Sequence, residues 1–368
     1  MVHAMQPRSF QSSQRPNTTK GNKNVNYIKV YDRVYLSLNP VLKSRNDCAF
    51  ARVSIESCVD VMEPSSLSHI YCFHQAIVDM LEQEKEKDLV ILTGSDPAHI
   101  TAVALLLGGH LIIGRGMSVE DVVDRFRPIS YLFASFADGN TRGPDLSIED
   151  CWRAIHRATA LGWASFDPPQ AEDGQERIDM EEYLHYDDTP NGAMHLVDPA
   201  RLLLFREPAD LPAGVAWADE GGRRRFGPEH YAGLFEDFGV QLVVRCGGGA
   251  WDCEALRGAG MAVEDLRVEA GGAGMLSAVD RFLTLARVAP GCIAVQCGGG
   301  AGAERIESED GGAGEGDDEE VDGDTGARLV VAAHLIRSRG FRAAEAVAWG
   351  LIAHPRAAAR AAPALVAL

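Results

Sequence analysis

The apolar positions of this chain follow two rhythms, one repeating every second residue and one every three to four. The alternating rhythm opens at residues 27–36, where Tyr27, Ile28 and Val30 lead into Tyr31 to Leu36, and it predicts a half-buried edge strand. Leu67 to Leu81 then carries apolar residues at helical spacing, and Leu89-Val90-Ile91-Leu92 running into Thr93-Gly94-Ser95 reads as a buried strand entering a turn. Ile100 to Ile113 predicts a long apolar helix. Ser118, with Asp121 three residues on, caps the next helix. Ser147, with Asp150, starts another that bears Ile148, Cys151, Ile155 and Ala158. Strands alternating with helices describe one α/β unit.

Residues 164–192 change character, being rich in Asp, Glu, Pro and Gly, and read as a linker holding a short helix over Asp179 to Tyr186. A second alternating unit follows. Its predicted elements are a strand over Leu202 to Phe205, a helix over His230 to Phe238 and a strand over Leu242 to Val244. An amphipathic helix covers Met275 to Arg287 with Leu276, Val279, Phe282, Leu283 and Ala286 on one face. A short apolar run, Ile293 to Val295, ends at Cys297, and helices follow over Leu329 to Arg339 and Arg342 to Ile352. No short-period repeat is visible, but the two units share a strand-turn-helix plan.

A length of 368 residues fits two domains better than one core, and 46% hydrophobic with 24% charged residues is a globular composition. The longest apolar stretch, Ala102 to Ile113, is about half of a membrane span. No apolar run opens the chain, so no secretory signal is expected, and no membrane partner is expected either. The eight cysteines show no paired CxxC spacing or His/Cys cluster, which predicts reduced thiols, no structural metal and no cofactor. Cys246 and Cys253 flank a glycine turn and read as structural, and His185 reads as a packing or capping residue.

Charge divides the chain further. Residues 1–26 hold Arg8, Arg15, Lys20 and Lys23 and no acid, a basic tail of disordered composition. Between Glu304 and Asp324 eleven acids face Arg305 alone, a net −10 out of −18 for the whole chain. Such acidity argues against nucleic acid as a partner.

The chemistry concentrates at Cys297, which is followed by Gly298, Gly299, Gly300, Ala301, Gly302 and Ala303. A strand delivering a cysteine into a glycine-rich turn can cradle a phosphate on backbone N–H groups while the thiolate attacks phosphorus. That chemistry needs a guanidinium six residues after the cysteine, because a planar fork holds the phosphoryl group. Ala303 stands there. Arg305 lies two residues beyond and Arg328 on the far side of the acidic segment. Cys297 also fits a second reading, a buried thiol at a strand end. The Gly298, Gly300, Ala303 spacing mimics a dinucleotide fingerprint, but no βαβ unit with a ribose-binding acid follows.

Six blocks in order carry a family resemblance: VYDRVYL (30–36), DLSIEDCWRAI (145–155), DMEEYLHYDDTPNG (179–192), VVRCG (243–247), IAVQC (293–297) and FRAAEAVAW (341–349). They resemble the cell-division-cycle-fourteen family of dual-specificity protein phosphatases, over about residues 27–355. The resemblance implies an α/β fold of two tandem dual-specificity-phosphatase-like domains, each a central mixed sheet flanked by helices. It places a noncatalytic domain at 27–163, a linker at 164–192, a cysteine-loop domain at 193–355 with an acidic insert at 304–324, and a tail at 356–368. Family members hydrolyse phosphotyrosine and phosphoserine and act in mitotic exit, cytokinesis and cilium or centrosome biology. Phosphoproteins or their binding partners are therefore the expected partners, in the cytoplasm and/or nucleus.

The departures from the family pattern are as informative. The family's loop histidine falls on Gln296, its arginine on Ala303 and its general-acid aspartate on Ala270, with Glu269 adjacent. The glutamine loop that positions the hydrolytic water is missing from His354 to Leu368. The expectation is a phosphatase-like binding module with catalysis lost or severely weakened. The alternative is a weak cysteine-dependent phosphatase acting through Cys297, with Arg305 as a substitute cation.

Overall fold

The computed structural model describes residues 27–38, 47–54, 63–136, 145–167, 177–192, 194–220, 223–246, 251–268, 272–298, 323–355 and 364–367. The first unit comprises β1 (Tyr27–Tyr31), β2 (Val34–Ser37), β3 (Cys48–Ser54), α1 (Leu67–Gln83), β4 (Asp88–Leu92), α2 (Pro97–Gly109), α3 (Val119–Phe126) and α4 (Ile148–Ala160). The short helix α5 (Met180–Asp187) connects it to the second unit. That unit starts with strands β5 (Met194–Asp198) and β6 (Leu202–Arg206), the hairpin strands β7 (Trp217–Glu220) and β8 (Arg223–Phe226), helix α6 (Pro228–Asp237) and β9 (Val240–Arg245). It continues through α7 (Glu254–Gly258), β10 (Ala262–Asp265), α8 (Gly272–Val288), β11 (Cys292–Cys297), α9 (Gly323–Arg339) and α10 (Ala343–Ala353). A last strand, β12 (Ala364–Ala367), lies in the segment read as a tail.

Each unit is built on a five-stranded mixed sheet, in the orders β1-β2-β4-β3-β12 and β10-β9-β11-β6-β5. In the second sheet β11 lies parallel between β9 and β6, and only the edge strand β5 runs antiparallel. Every residue of β11 is buried, so it reads as a continuous apolar run rather than an alternating one. The mixed α/β expectation is met by these sheets. β12 pairs antiparallel with β3, so the far end of the chain completes the first sheet.

Helix starts follow the caps legible in the sequence. Ser147 and Asp150 form a reciprocal capping box on α4, and Asp179 caps α5. Residues 27–36 form two strands rather than one. The chain turns at Asp32-Arg33, and Arg33 takes a left-handed backbone (φ 58°). Its guanidinium donates to the carbonyls of Glu84 and Lys87, which offsets the cost of that conformation. Helix α9 begins six residues before the periodicity indicated, with Asp324 in its first turn, where an acid suits the helix dipole.

The apolar stretch from Pro97 ends in a π-helical turn over His110–Gly114. By length and composition Pro97–Gly114 could cross a bilayer, but 67% of it is buried inside the protein, as befits a core helix. It packs so closely on α4 that a Cβ on Gly108 would overlap the Trp152 indole. One hydrophobic cluster runs from Leu106 and Trp152 to Val295 and Trp349 and joins the two units. Trp163 stacks on Phe341 across the junction, with ring centroids 5.8 Å apart.

Candidate functional site

Cys297 ends the central strand of the second sheet, and Gly298 turns the chain with φ 54°, a conformation that favours glycine. This strand-cysteine-glycine arrangement is the one the sequence predicts. Gly299, Gly300, Ala301, Gly302, Ala303 and Arg305 lie outside the described residues, as does Ala270. The turn itself is fixed from the neighbouring strand, because the Glu207 N–H donates to the Gly298 carbonyl at 3.4 Å.

The thiol is covered. Cys297 is 4% exposed, and its Sγ lies 3.2 Å from the Phe205 carbonyl oxygen and 2.9 Å from His354 Nε2. Burial pushes the thiol pKa well up, and the Asp324 carboxylate pushes the same way. Arg328 and Arg206 oppose them without prevailing. His354 moves in the opposite sense, since burial holds its pKa well below the usual imidazole range, with the charges of His195, Arg328 and Arg206 adding to the effect. Both shifts favour a neutral thiol beside a neutral imidazole.

His354 is held by three neighbours. Its backbone N–H donates to Gly350 as the C-cap of α10. The Tyr183 hydroxyl donates to the preceding carbonyl of Ala353 at 3.0 Å, and Arg328 Nη1 donates to the His354 carbonyl at 3.3 Å. The ring then continues a buried polar chain. His354 Nδ1 lies 2.7 Å from His195 Nδ1, His195 Nε2 lies 2.8 Å from Asp187 Oδ1, and the Ser68 hydroxyl donates to Asp187 Oδ2 at 2.6 Å. Burial acts to raise the Asp187 pKa, but hydrogen bonds from His195 and Ser68 outweigh it and leave the carboxyl below its usual value. Five elements meet here: α1, α5, β5, β11 and the end of α10.

None of the residues His354, His195, Asp187 and Ser68 was singled out by sequence reasoning. The only local signals are a polar residue set among the apolar residues of β5 (Met194-His195-Leu196) and a histidine closing the apolar helix α10. Their partners stand 57 to 159 positions away, beyond the reach of any motif, except His195 and Asp187, which are eight apart.

Arg328, the remote cation of the sequence reading, does reach this corner. Its Nε pairs with Asp324 at 2.9 Å and its Nη2 is buried without a hydrogen-bond partner. Gln296, at the family's histidine position, faces away from Cys297 and accepts a hydrogen bond from Trp251 Nε1 at 3.0 Å. Cys246 and Cys253 are buried free thiols, and burial raises Cys246 to about 12. Among the described residues no group of three or more His, Cys, Asp and Glu side chains could hold a metal ion. His185 accepts a hydrogen bond from Asn191 Nδ2 at its carbonyl and meets the Tyr186 ring edge-on, a packing contact.

A mixed sheet flanked by helices, with a cysteine delivered by its central parallel strand into a glycine turn, is the architecture of the protein tyrosine phosphatase class. The comparisons agree. Residues 56–158 match the family described as dual specificity protein phosphatase, N-terminal half. The chain is 25% identical over 272 residues to the dual specificity protein phosphatase CDC14C of Homo sapiens, covering 73% of this chain and 52% of that protein. It is 24% identical over 279 residues to CDC14B of Mus musculus (73% and 48%), and 23% identical over 299 residues to the tyrosine-protein phosphatase CDC14 of Candida albicans (79% and 48%). A solved structure described as a putative protein tyrosine phosphatase from Leishmania major aligns with a TM-score of 0.29 at 18% identity, over 43% of this chain and 81% of that one. The chain is CDC14-like: its first unit matches the dual specificity phosphatase N-terminal half, and about three quarters of its length is similar to CDC14 phosphatases at about 25% identity. It spans about half the length, or less, of the curated relatives it matches.

Proposed function

We propose that this protein is a phosphatase-fold binding module in which phosphate-ester hydrolysis is lost or severely weakened. The observation that carries this reading is the covered Cys297, 4% exposed and in contact with a backbone carbonyl and with His354, where burial raises the thiol pKa instead of favouring the thiolate. A cysteine phosphatase needs an ionised thiol, positive charge around the phosphoryl group and a proton for the leaving oxygen. Losing one preorganised donor costs on the order of a hundred- to a thousandfold in rate. Losing the general acid costs about a hundredfold or more. Ala303 and Ala270 occupy those two positions in the sequence. The partners proposed are phosphoproteins or the proteins that bind them, met in the cytoplasm and/or nucleus, including the centrosome, spindle or cilium.

Purified full-length protein tested with an aryl phosphate, a phosphotyrosine peptide and a phosphoserine peptide should release no more phosphate than its Cys297→Ser variant. Turnover that depends on Cys297 would sink the reading. One observation favours the alternative, a weak cysteine-dependent phosphatase: the unpartnered, buried Nη2 of Arg328 beside the cysteine turn. In that case Arg328→Ala or Arg305→Ala must abolish whatever Cys297-dependent turnover exists, and an unchanged rate in both counts against it.

A further inference from the structure

The direction of the polar chain that starts at Cys297 is set by the protonation of His195. An ionised Asp187 can only accept hydrogen bonds, so His195 must carry its proton on Nε2. With His195 neutral, its Nδ1 is a lone pair and the facing His354 Nδ1 is the protonated partner of the 2.7 Å contact. His354 Nε2 is then a lone pair 2.9 Å from Cys297 Sγ, where it competes with the Phe205 carbonyl, 3.2 Å from the sulfur, for the single thiol proton. Ser68 and Ser66 close the far end, the Ser66 hydroxyl standing 2.8 Å from that of Ser68. Cys297, His354, His195, Asp187 and Ser68 are all buried, which keeps the order from being scrambled by water.

We propose that Cys297 is a base-assisted nucleophile, with His354, His195 and Asp187 forming a relay that takes up the thiol proton when the sulfur attacks a small uncharged carbon electrophile. This goes beyond the reading above and does not rest on it. The sulfur forms a bond to carbon and the leaving group departs with its electron pair. The S–H proton passes to His354 Nε2, and the proton on His354 Nδ1 passes to His195 Nδ1. The resulting imidazolium sits against the Asp187 carboxylate until the proton returns to solvent. The thiol need not be ionised beforehand, as in any nucleophile paired with a positioned base. An uncharged electrophile suits the site better than a phosphate dianion, because Asp324 stands next to Gly298 and the thiol is only 4% exposed. The charged groups bearing on the relay are Arg206, Arg328 and Asp324 near the thiol and His69 near Asp187.

The probe is iodoacetamide, with alkylation of Cys297 in the folded full-length chain followed over time by mass spectrometry. In the wild type the rate should be nearly flat between about pH 6.5 and 8, because the base and not hydroxide removes the proton. His354→Gln should slow it on the order of a hundredfold at pH 7 and make it rise about tenfold per pH unit. Asp187→Asn should also slow it, and Asp187→Glu should restore part of the rate. A wild-type rate that itself climbs tenfold per unit, a His354→Gln rate equal to wild type, or no alkylation of the folded chain at any pH would overturn the proposal. Should the variants fail to fold, imidazole nitrogen NMR of the wild type decides it. The relay requires His354 protonated on Nδ1 and His195 on Nε2, and the reverse tautomers overturn it.

Discussion

Among the described residues two histidine pairs, one half-buried in the first unit and one buried in the second, meet nitrogen to nitrogen through Nδ1. His74 and His110 lie 3.0 Å apart in the first unit, and His195 and His354 lie 2.7 Å apart in the second. Their outer ends differ. His110 Nε2 meets the Tyr31 hydroxyl at 2.9 Å, a group that can donate or accept, and the Arg115 guanidinium lies over the Tyr31 ring. His74 packs against the Phe166 ring, and Asp167 acts on it only through charge. The second pair is hydrogen-bonded to a carboxylate at one end and a thiol at the other. The second pair is therefore anchored on an obligate acceptor, the Asp187 carboxylate, which the first pair lacks, and of the two only the second ends on a thiol.

The turns that follow the central strands differ in the same way. After β4 the chain passes through Thr93-Gly94 straight into α2, with Thr93 Oγ1 2.7 Å from His99 Nδ1 and Asp96 capping the helix. Every polar group of that turn named here is satisfied locally. After β11 the cysteine finds its partner 57 residues away, in a histidine at the end of α10. The first turn is a structural joint. The second keeps a nucleophile but binds it to the interior.

Removing the carboxylate should do the most damage. Asp187→Ala leaves the His195 N–H buried without an acceptor and breaks the Ser68 hydrogen bond to the carboxylate, and should lower stability by about 3 kcal/mol in chemical denaturation. Tyr31→Phe, the equivalent cut at the first pair, removes one hydrogen bond from a half-buried ring and should cost about 1 kcal/mol. Equal losses would erase the distinction between the pairs.

Acid should separate them as well. Burial lowers His110 to about 3, with the charges of His74 and Arg115 adding, and holds His354 well below its normal range. Both groups are neutral in the folded chain at a pH where the unfolded chain protonates them. Their contribution is complete above about pH 6.5 and is lost as pH falls below it. Asp187 and Asp198 have lowered pKa values, so their contribution is present above about pH 4 and lost below it. The urea midpoint should therefore fall in two stages, first from about pH 6.5 downward and more steeply below about 4. Removing His110 by substitution with Asn should flatten the first stage without abolishing it, because His354 still contributes. A midpoint independent of pH between about 4 and 6.5 would contradict this.

Much of the fold was legible because it is written locally. The capping box of Ser147 and Asp150, the helical spacing of Leu67 to Leu81 and the apolar run into Cys297 each specify an element within a dozen residues. Short strands such as β3, β5, β7, β8 and β10 escaped because four to seven residues of mixed polarity give little period to read. The division of β1 from β2 escaped because a non-glycine residue, Arg33, makes the turn. At the site, the cysteine and its glycine were visible, and so was the acidic α5 block that contains Asp187. The relay was not, because it is assembled from α1, α5, β5, β11 and α10, and only the folded chain brings those together.

Burial favours a covered, protonated thiol at Cys297, and ultraviolet thiolate absorbance reads that state out. Titrated between about pH 6 and 9, wild type and Cys297→Ser should give superimposable curves, because burial holds this thiol above that range. A thiolate step near neutrality that is present in the wild type and missing in the variant would contradict the account.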